Sequence, residues 1–63
     1  MNVWEKYVGK KVFLRTNNQR TYSGIVKEAV DVGDGLIFIS LITIQEKWVT
    51  ITAQDISEIK EED

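Results

Sequence analysis

One stretch constrains the fold of this chain more than any other. Arg20-Thr21-Tyr22-Ser23-Gly24-Ile25-Val26-Lys27-Glu28 reads as a β-strand with a glycine at its centre. Alternation places Tyr22, Gly24 and Val26 on one face and Ser23, Ile25 and Lys27 on the other. A glycine inside a strand costs stability, so it marks a bulge or a close approach of backbone. Two architectures meet that demand: an ordinary sheet with a β-bulge, or a long strand folded over in a small, highly curved barrel. The flanking segments favour the barrel.

Ahead of this strand, Val3, Trp4, Tyr7 and Val8 fall at helical spacing, with Asn2 as N-cap, Glu5 three residues further on and Gly9 as a stop. This predicts a short helix over residues 3–8. It is too short to stand alone in water, so Trp4 and Tyr7 are expected to press onto the barrel. Val12-Phe13-Leu14-Arg15-Thr16 alternates as a first strand, and Asn17-Asn18-Gln19-Arg20 has turn chemistry. The central strand runs to about Val30, and Asp31-Val32-Gly33-Asp34-Gly35 is the clearest loop. Residues 36–44 are apolar at both alternating sets of positions, which predicts that both faces of that strand are covered. Gln45-Glu46-Lys47 makes a turn into Trp48-Val49-Thr50-Ile51-Thr52, a fourth strand. Ala53-Gln54-Asp55 suits a tight turn or one turn of 3₁₀ helix, and Ile56-Ser57-Glu58-Ile59 a short last strand.

The expected fold class is therefore all-β: a short N-terminal helix (residues 1–9), then a strongly bent five-stranded antiparallel SH3-like barrel (residues 10–59) and a solvated acidic tail (residues 60–63). One domain is expected over residues 1–63. A chain of 63 residues buries only roughly 60% of the surface its unfolded form exposes, so it is marginal unless something supports it. There is no cysteine for a disulfide and no histidine, which leaves oligomerisation as the common device.

The same composition bounds the chemistry. Without histidine or cysteine, and with no serine in a nucleophile setting, an enzyme is not expected. Asp31 and Asp34 are turn formers more than a paired-carboxylate site, and two carboxylates are too few for a dedicated cation site. No metal and no cofactor is expected. Ten acidic and eight basic residues give a formal charge of −2, against a protein that coats nucleic acid by charge alone. Lys10, Lys11, Arg15, Arg20 and Lys27 nonetheless concentrate basic charge in the first half. The opening residues lack a signal-peptide pattern, and the run at 36–44 is too short to span a bilayer. A cytoplasmic location without membrane contact is expected.

Across nearly its whole length the chain resembles the Sm/Lsm family. Gly9-Lys10-Lys11-Val12-Phe13-Leu14, a turn, and Arg20-Thr21-Tyr22-Ser23-Gly24-Ile25-Val26 are similar to the first family signature, with Gly24 at the place of the glycine in the bent second strand. Ile51-Thr52-Ala53-Gln54-Asp55-Ile56-Ser57-Glu58-Ile59 is similar to the second. The resemblance implies an Sm-fold barrel, a ring-shaped homo-oligomer and single-stranded RNA as partner. It departs where RNA is held. Gln19 stands where the family carries a turn glycine, and Thr52-Ala53 where it carries arginine-glycine. Either Asp31 or Val30 takes the place of the base-binding aspartate, with Gly35 or Asp34 at the place of the asparagine. A stacked base is worth roughly 1–3 kcal/mol, so a pocket without its stacker and arginine is a weak one.

Asp31, Asp34, Gly35 and Thr52 are thus the base-pocket candidates, and Lys10, Lys11 and Lys27 the candidates for contacting the backbone of an RNA. The candidate oligomer interface is Trp48, Val49, Thr50 and Ile51 of the fourth strand with Ile56, Ser57 and Ile59 of the fifth. These strands carry almost no charge and no proline to guard an edge. Three readings follow: an Sm-like ring protein that binds RNA weakly or by a non-standard face, a homo-oligomeric scaffold with no nucleic-acid ligand, and a monomeric SH3-like adaptor. The turn at 17–20 is too short for an SH3 recognition loop, which weighs against the last.

Overall fold

The computed structural model describes residues 3–62, so the Asn2 N-cap lies outside the described residues. The chain is all-β. Five strands, β1 (Lys11–Thr16), β2 (Thr21–Asp31), β3 (Ile37–Thr43), β4 (Trp48–Thr52) and β5 (Ile56–Glu61), form one antiparallel sheet in the order β4-β3-β2-β1-β5. Two short 3₁₀ segments accompany them, η1 (Val3–Tyr7) and η2 (Ala53–Asp55). The N-terminal helix expected over residues 3–8 is therefore a 3₁₀ turn. Five residues hold too few α-type bonds to propagate an α-helix, and three residues per turn bring Trp4 over Tyr7, ring centroids 6.1 Å apart. Both rings pack on the core, as expected of them.

Gly24 sits where β2 is flanked by Val12 of β1 and Thr43 of β3. A Cβ at this position would lie 2.1 Å from the carbonyl oxygen of Ile42 and 2.8 Å from the Thr43 Cα. The glycine thus admits a close approach of backbone. A bulge is present too, further along β2: Val26 faces Leu41 and Glu28 faces Ser40, leaving Lys27 as the extra residue.

Val12, Leu14, Val26, Ile39 and Leu41 are fully buried, although no second sheet or α-helix covers them. A single sheet hides a row of side chains in this way only by curling around them. The curl stops short of a barrel. β4 pairs only with β3 and β5 only with β1, so the sheet is not closed. The five antiparallel strands expected from sequence are thus present in a single curled sheet that stays open at β4 and β5. Ala53–Asp55 turns the chain out of β4, and β5 then runs back along β1.

Two hairpin turns share one design. In each, a buried threonine (Thr16 or Thr43) opens the turn and its hydroxyl oxygen accepts the amide of the residue that closes it, from Arg20 at 3.2 Å and from Lys47 at 3.3 Å. The residue before closure, Gln19 or Glu46, has positive φ at 72° and 64°. Each is a β-turn, closed by the Gln19 amide on the Thr16 carbonyl or the Glu46 amide on the Thr43 carbonyl, whose last residue is left-handed, as in three-residue hairpins. The last strand is longer than expected. Lys60 and Glu61 pair with Phe13 and Val12 and so belong to β5, not to a free tail, and Lys10 Nζ lies 3.4 Å from Glu61.

Candidate functional site

The expected base-pocket residues are occupied with their own loops. Asp31 Oδ1 accepts the Gly33 amide at 2.9 Å, an Asx turn at the start of the β2–β3 loop. Val32 and Leu36 close that loop backbone to backbone, and Asp34 and Gly35 adopt positive φ at 56° and 75° to complete it. Thr52 Oγ1 donates to the Asp55 carboxylate across η2. Asp31, Asp34 and Gly35 line neither of two clefts of about 430 Å³ on the molecule.

The first of these clefts lies between the β1–β2 turn and β4. Its walls include Asn18, Arg20, Tyr22, Thr50, Thr52 and Asp55. Asn17 ties this turn to η2 through its side-chain amide on the Gln54 carbonyl at 3.0 Å and its backbone amide on the Asp55 carbonyl at 2.8 Å. Thr52 is the one base-pocket candidate placed here.

The second cleft crosses the outer face of the sheet and collects two of the three lysine candidates. Lys11 and Lys27 line it with Ile25, Ile42, Ile44 and Glu46. Lys10 is separate, paired with Glu61. Among the described residues Lys11 and Lys27 form no ion pair; the two ion pairs present are Lys10 with Glu61 and Arg15 with Glu58. Both pairs are half exposed, so each contributes about 0–1 kcal/mol.

The candidate interface residues divide by side chain and backbone. Ile51 is in the core, and Val49, Ile56 and Ile59 pack against it, so the apolar side chains of these strands fill the chain's own interior. Their outward backbone edges have no neighbouring strand. Ser57 is the extra residue of a bulge opposite Arg15 and Thr16, and its hydroxyl donates to the Arg15 carbonyl at 3.1 Å. Trp48 is the exception, with 63% of its surface exposed.

Sequence reasoning missed the outer face as a site, although its signal was present. Residues 36–44 are apolar at both sets of alternating positions, and the expected second cover is missing. Ile39 and Leu41 face the core, whereas Ile42 is half-buried and Ile44 is 68% exposed. Among the described residues no group of three carboxylates is placed to hold a metal ion, and no helix is long and apolar enough to cross a membrane.

Fold and surfaces together define a class: a small all-β module of one curled, open sheet with two free edges and an apolar outer face. No family model, no curated protein and no solved structure matches the chain.

Proposed function

We propose that this chain is a self-assembling module whose copies join through the free edges of β4 and β5. One observation carries the reading: the sheet ends on these two strands, and among the described residues no strand pairs with the outward side of either. An unguarded edge is a template for another strand, and neither β4 nor the start of β5 bears proline or lysine across residues 48–52 and 56–59. Pairing β4 of one copy with β5 of the next is a heterologous contact, which repeats until the copies close into a ring. In the Sm/Lsm family, which the sequence resembles, the same pairing builds the ring. Light scattering is expected to give a mass that is a small multiple of the 7.3 kDa chain. A monomer at high micromolar concentration would remove the proposal.

Single-stranded RNA binding is the second reading, and Lys11 and Lys27, without an ion pair among the described residues, support it. Such binding is weak and salt-dependent, carried by lysines, because Asp31 and Thr52 are engaged within their own loops. Fluorescence anisotropy across a salt series tests this. Tight, salt-resistant preference for oligouridine over oligoadenosine would contradict it.

A further inference from the structure

The outer face of the sheet carries a row that no strand or helix of the described residues covers. Lys11 pairs across the ladder with Ile25, Ile25 with Ile42, and Ile42 with Trp48, so these four side chains stand side by side over four strands. Cross-strand partners point to the same side of a sheet. Strands are spaced about 4.8 Å apart, so the row runs about 14 Å from lysine to tryptophan. Ile44 and Lys27, the extra residue of the β2 bulge, line the same groove. Ile25 is 42% exposed, and Ile44 and Trp48 are more so. Isolated exposed apolar residues are ordinary; a contiguous set in a groove rimmed by charge is a recognition surface.

The charges say what fits. Lys11 of β1 and Lys27 of β2 line the groove with no ion-pair partner among the described residues, and Glu46 of the β3–β4 turn is the one carboxylate that lines it. The floor between them is aliphatic. A nucleic acid would set polar bases on that floor, with only Trp48 placed in the row to stack. A peptide with apolar side chains would cover the floor and leave its carboxylates to the lysines.

We propose that this groove docks an acidic, apolar peptide segment of a protein partner. About four extended residues cross the row. The acidic end lies over Lys11 and Lys27, and the apolar side chains lie on Ile25, Ile42 and Trp48. The segment arrives as cargo of the proposed assembly, yet the docking does not depend on that assembly, because the groove is complete within one chain.

The test is an amide-resolved NMR titration of the full chain with four probes: a short peptide of leucines interleaved with glutamates, the same peptide with lysines for glutamates, oligouridine, and phosphatidylserine-containing vesicles. The leucine–glutamate peptide is expected to shift Ile25, Ile42, Ile44 and Trp48, at least tenfold more tightly than the leucine–lysine peptide. Reversing both charges, Lys11→Glu with Lys27→Glu, is expected to exchange that preference. Should the double reversal unfold, Lys27→Gln is expected to weaken the acidic peptide several-fold while the melting temperature holds. Ile44→Ser with Trp48→Ser is expected to abolish docking. The proposal is overturned if the acidic peptide leaves these amides unmoved, if both peptides bind alike, or if oligouridine or vesicles move them and the peptide does not. It is also overturned if Ile25 and Ile42, on the interior strands β2 and β3, shift with protein concentration alone, which would place a second copy on this face. The mass in solution is read separately, so a monomer that docks the peptide would end the assembly proposal and leave this one standing.

Discussion

The two faces of the sheet are made by the same strands and differ in what closes over them. Along β3, Ile39 and Leu41 point inward and are buried, while their immediate neighbour Ile42 and the following Ile44 point outward and stay partly or largely open. The inner face is completed by curling, for which Gly24 is the enabling residue. The outer face has no such completion. Apolar content alone therefore does not say which residues hold a small sheet together. The inner set does so, and the outer set is surplus to folding.

Substitutions on the two faces separate these roles. The largest effect is expected at Gly24→Val, because its Cβ would meet the Ile42 carbonyl oxygen, a backbone atom that cannot swing away. The loss is expected to exceed the roughly 1–3 kcal/mol typical of overpacking, seen as an unfolded or grossly destabilised chain in urea titration. A variant with an unchanged midpoint would show that the curl does not depend on this contact. Next comes Leu41→Ala, fully buried, with an expected loss of about 2–5 kcal/mol by the same measurement. A loss below about 1 kcal/mol would mean that the inner face is loosely packed.

A smaller change, of opposite sign, is expected in the turns that set which residues face inward. A slip of one residue would exchange the two faces, so turn geometry guards the comparison itself. Gln19 and Glu46 hold left-handed backbone that glycine adopts without strain. Gln19→Gly and Glu46→Gly are each expected to raise stability by about 0.5–1 kcal/mol, read as a higher melting temperature. A fall in both would show that the side chains contribute more than the strain costs. Smallest of all, Ile44→Ser on the outer face is expected to change stability by no more than about 0.5 kcal/mol. A larger loss would move Ile44 into the folding set and weaken the division drawn here.

Much of the inner face was legible in the sequence, because alternation and the interrupting glycine are local signals. Val12 and Leu14, and Val26, follow from period two alone, whereas Ile39 and Leu41 do not, because β3 is apolar at both alternating sets of positions. The 3₁₀ turn at Ala53–Asp55 was legible from the shortness of its link. The η1 turn was half legible: Trp4 and Tyr7 sit three apart, which an α-turn and a 3₁₀ turn both bring together. The end of β5 was not legible, because Lys60 and Glu61 read as a solvated tail until Phe13 and Val12 are known to lie beside them. The local bonding of the candidate pocket residues was not legible for a related reason. A free aspartate and one that holds a turn are the same letter, and only the Gly33 amide on Asp31 distinguishes them. Likewise, apolar residues on both faces of β3 announced a second contact surface without saying whether the chain itself would supply it.

The pairing of β1 with β5 also orders events in time. Leu14, at the heart of the core, lies opposite Ile59, which is 59 − 14 = 45 residues later in the chain. At about 5–20 residues per second of synthesis, roughly 2–9 s separate the appearance of these two partners. The β1–β2 and β3–β4 hairpins can each form within about 1–10 μs. The β1–β2 ladder is possible once residue 25 has been made, but all three hairpin-linked ladders are possible only after residue 52, for the last 59 − 52 = 7 of those 45 residues. The far edge of β1 stays vacant throughout, and its shelter arrives with the last strand of the sheet.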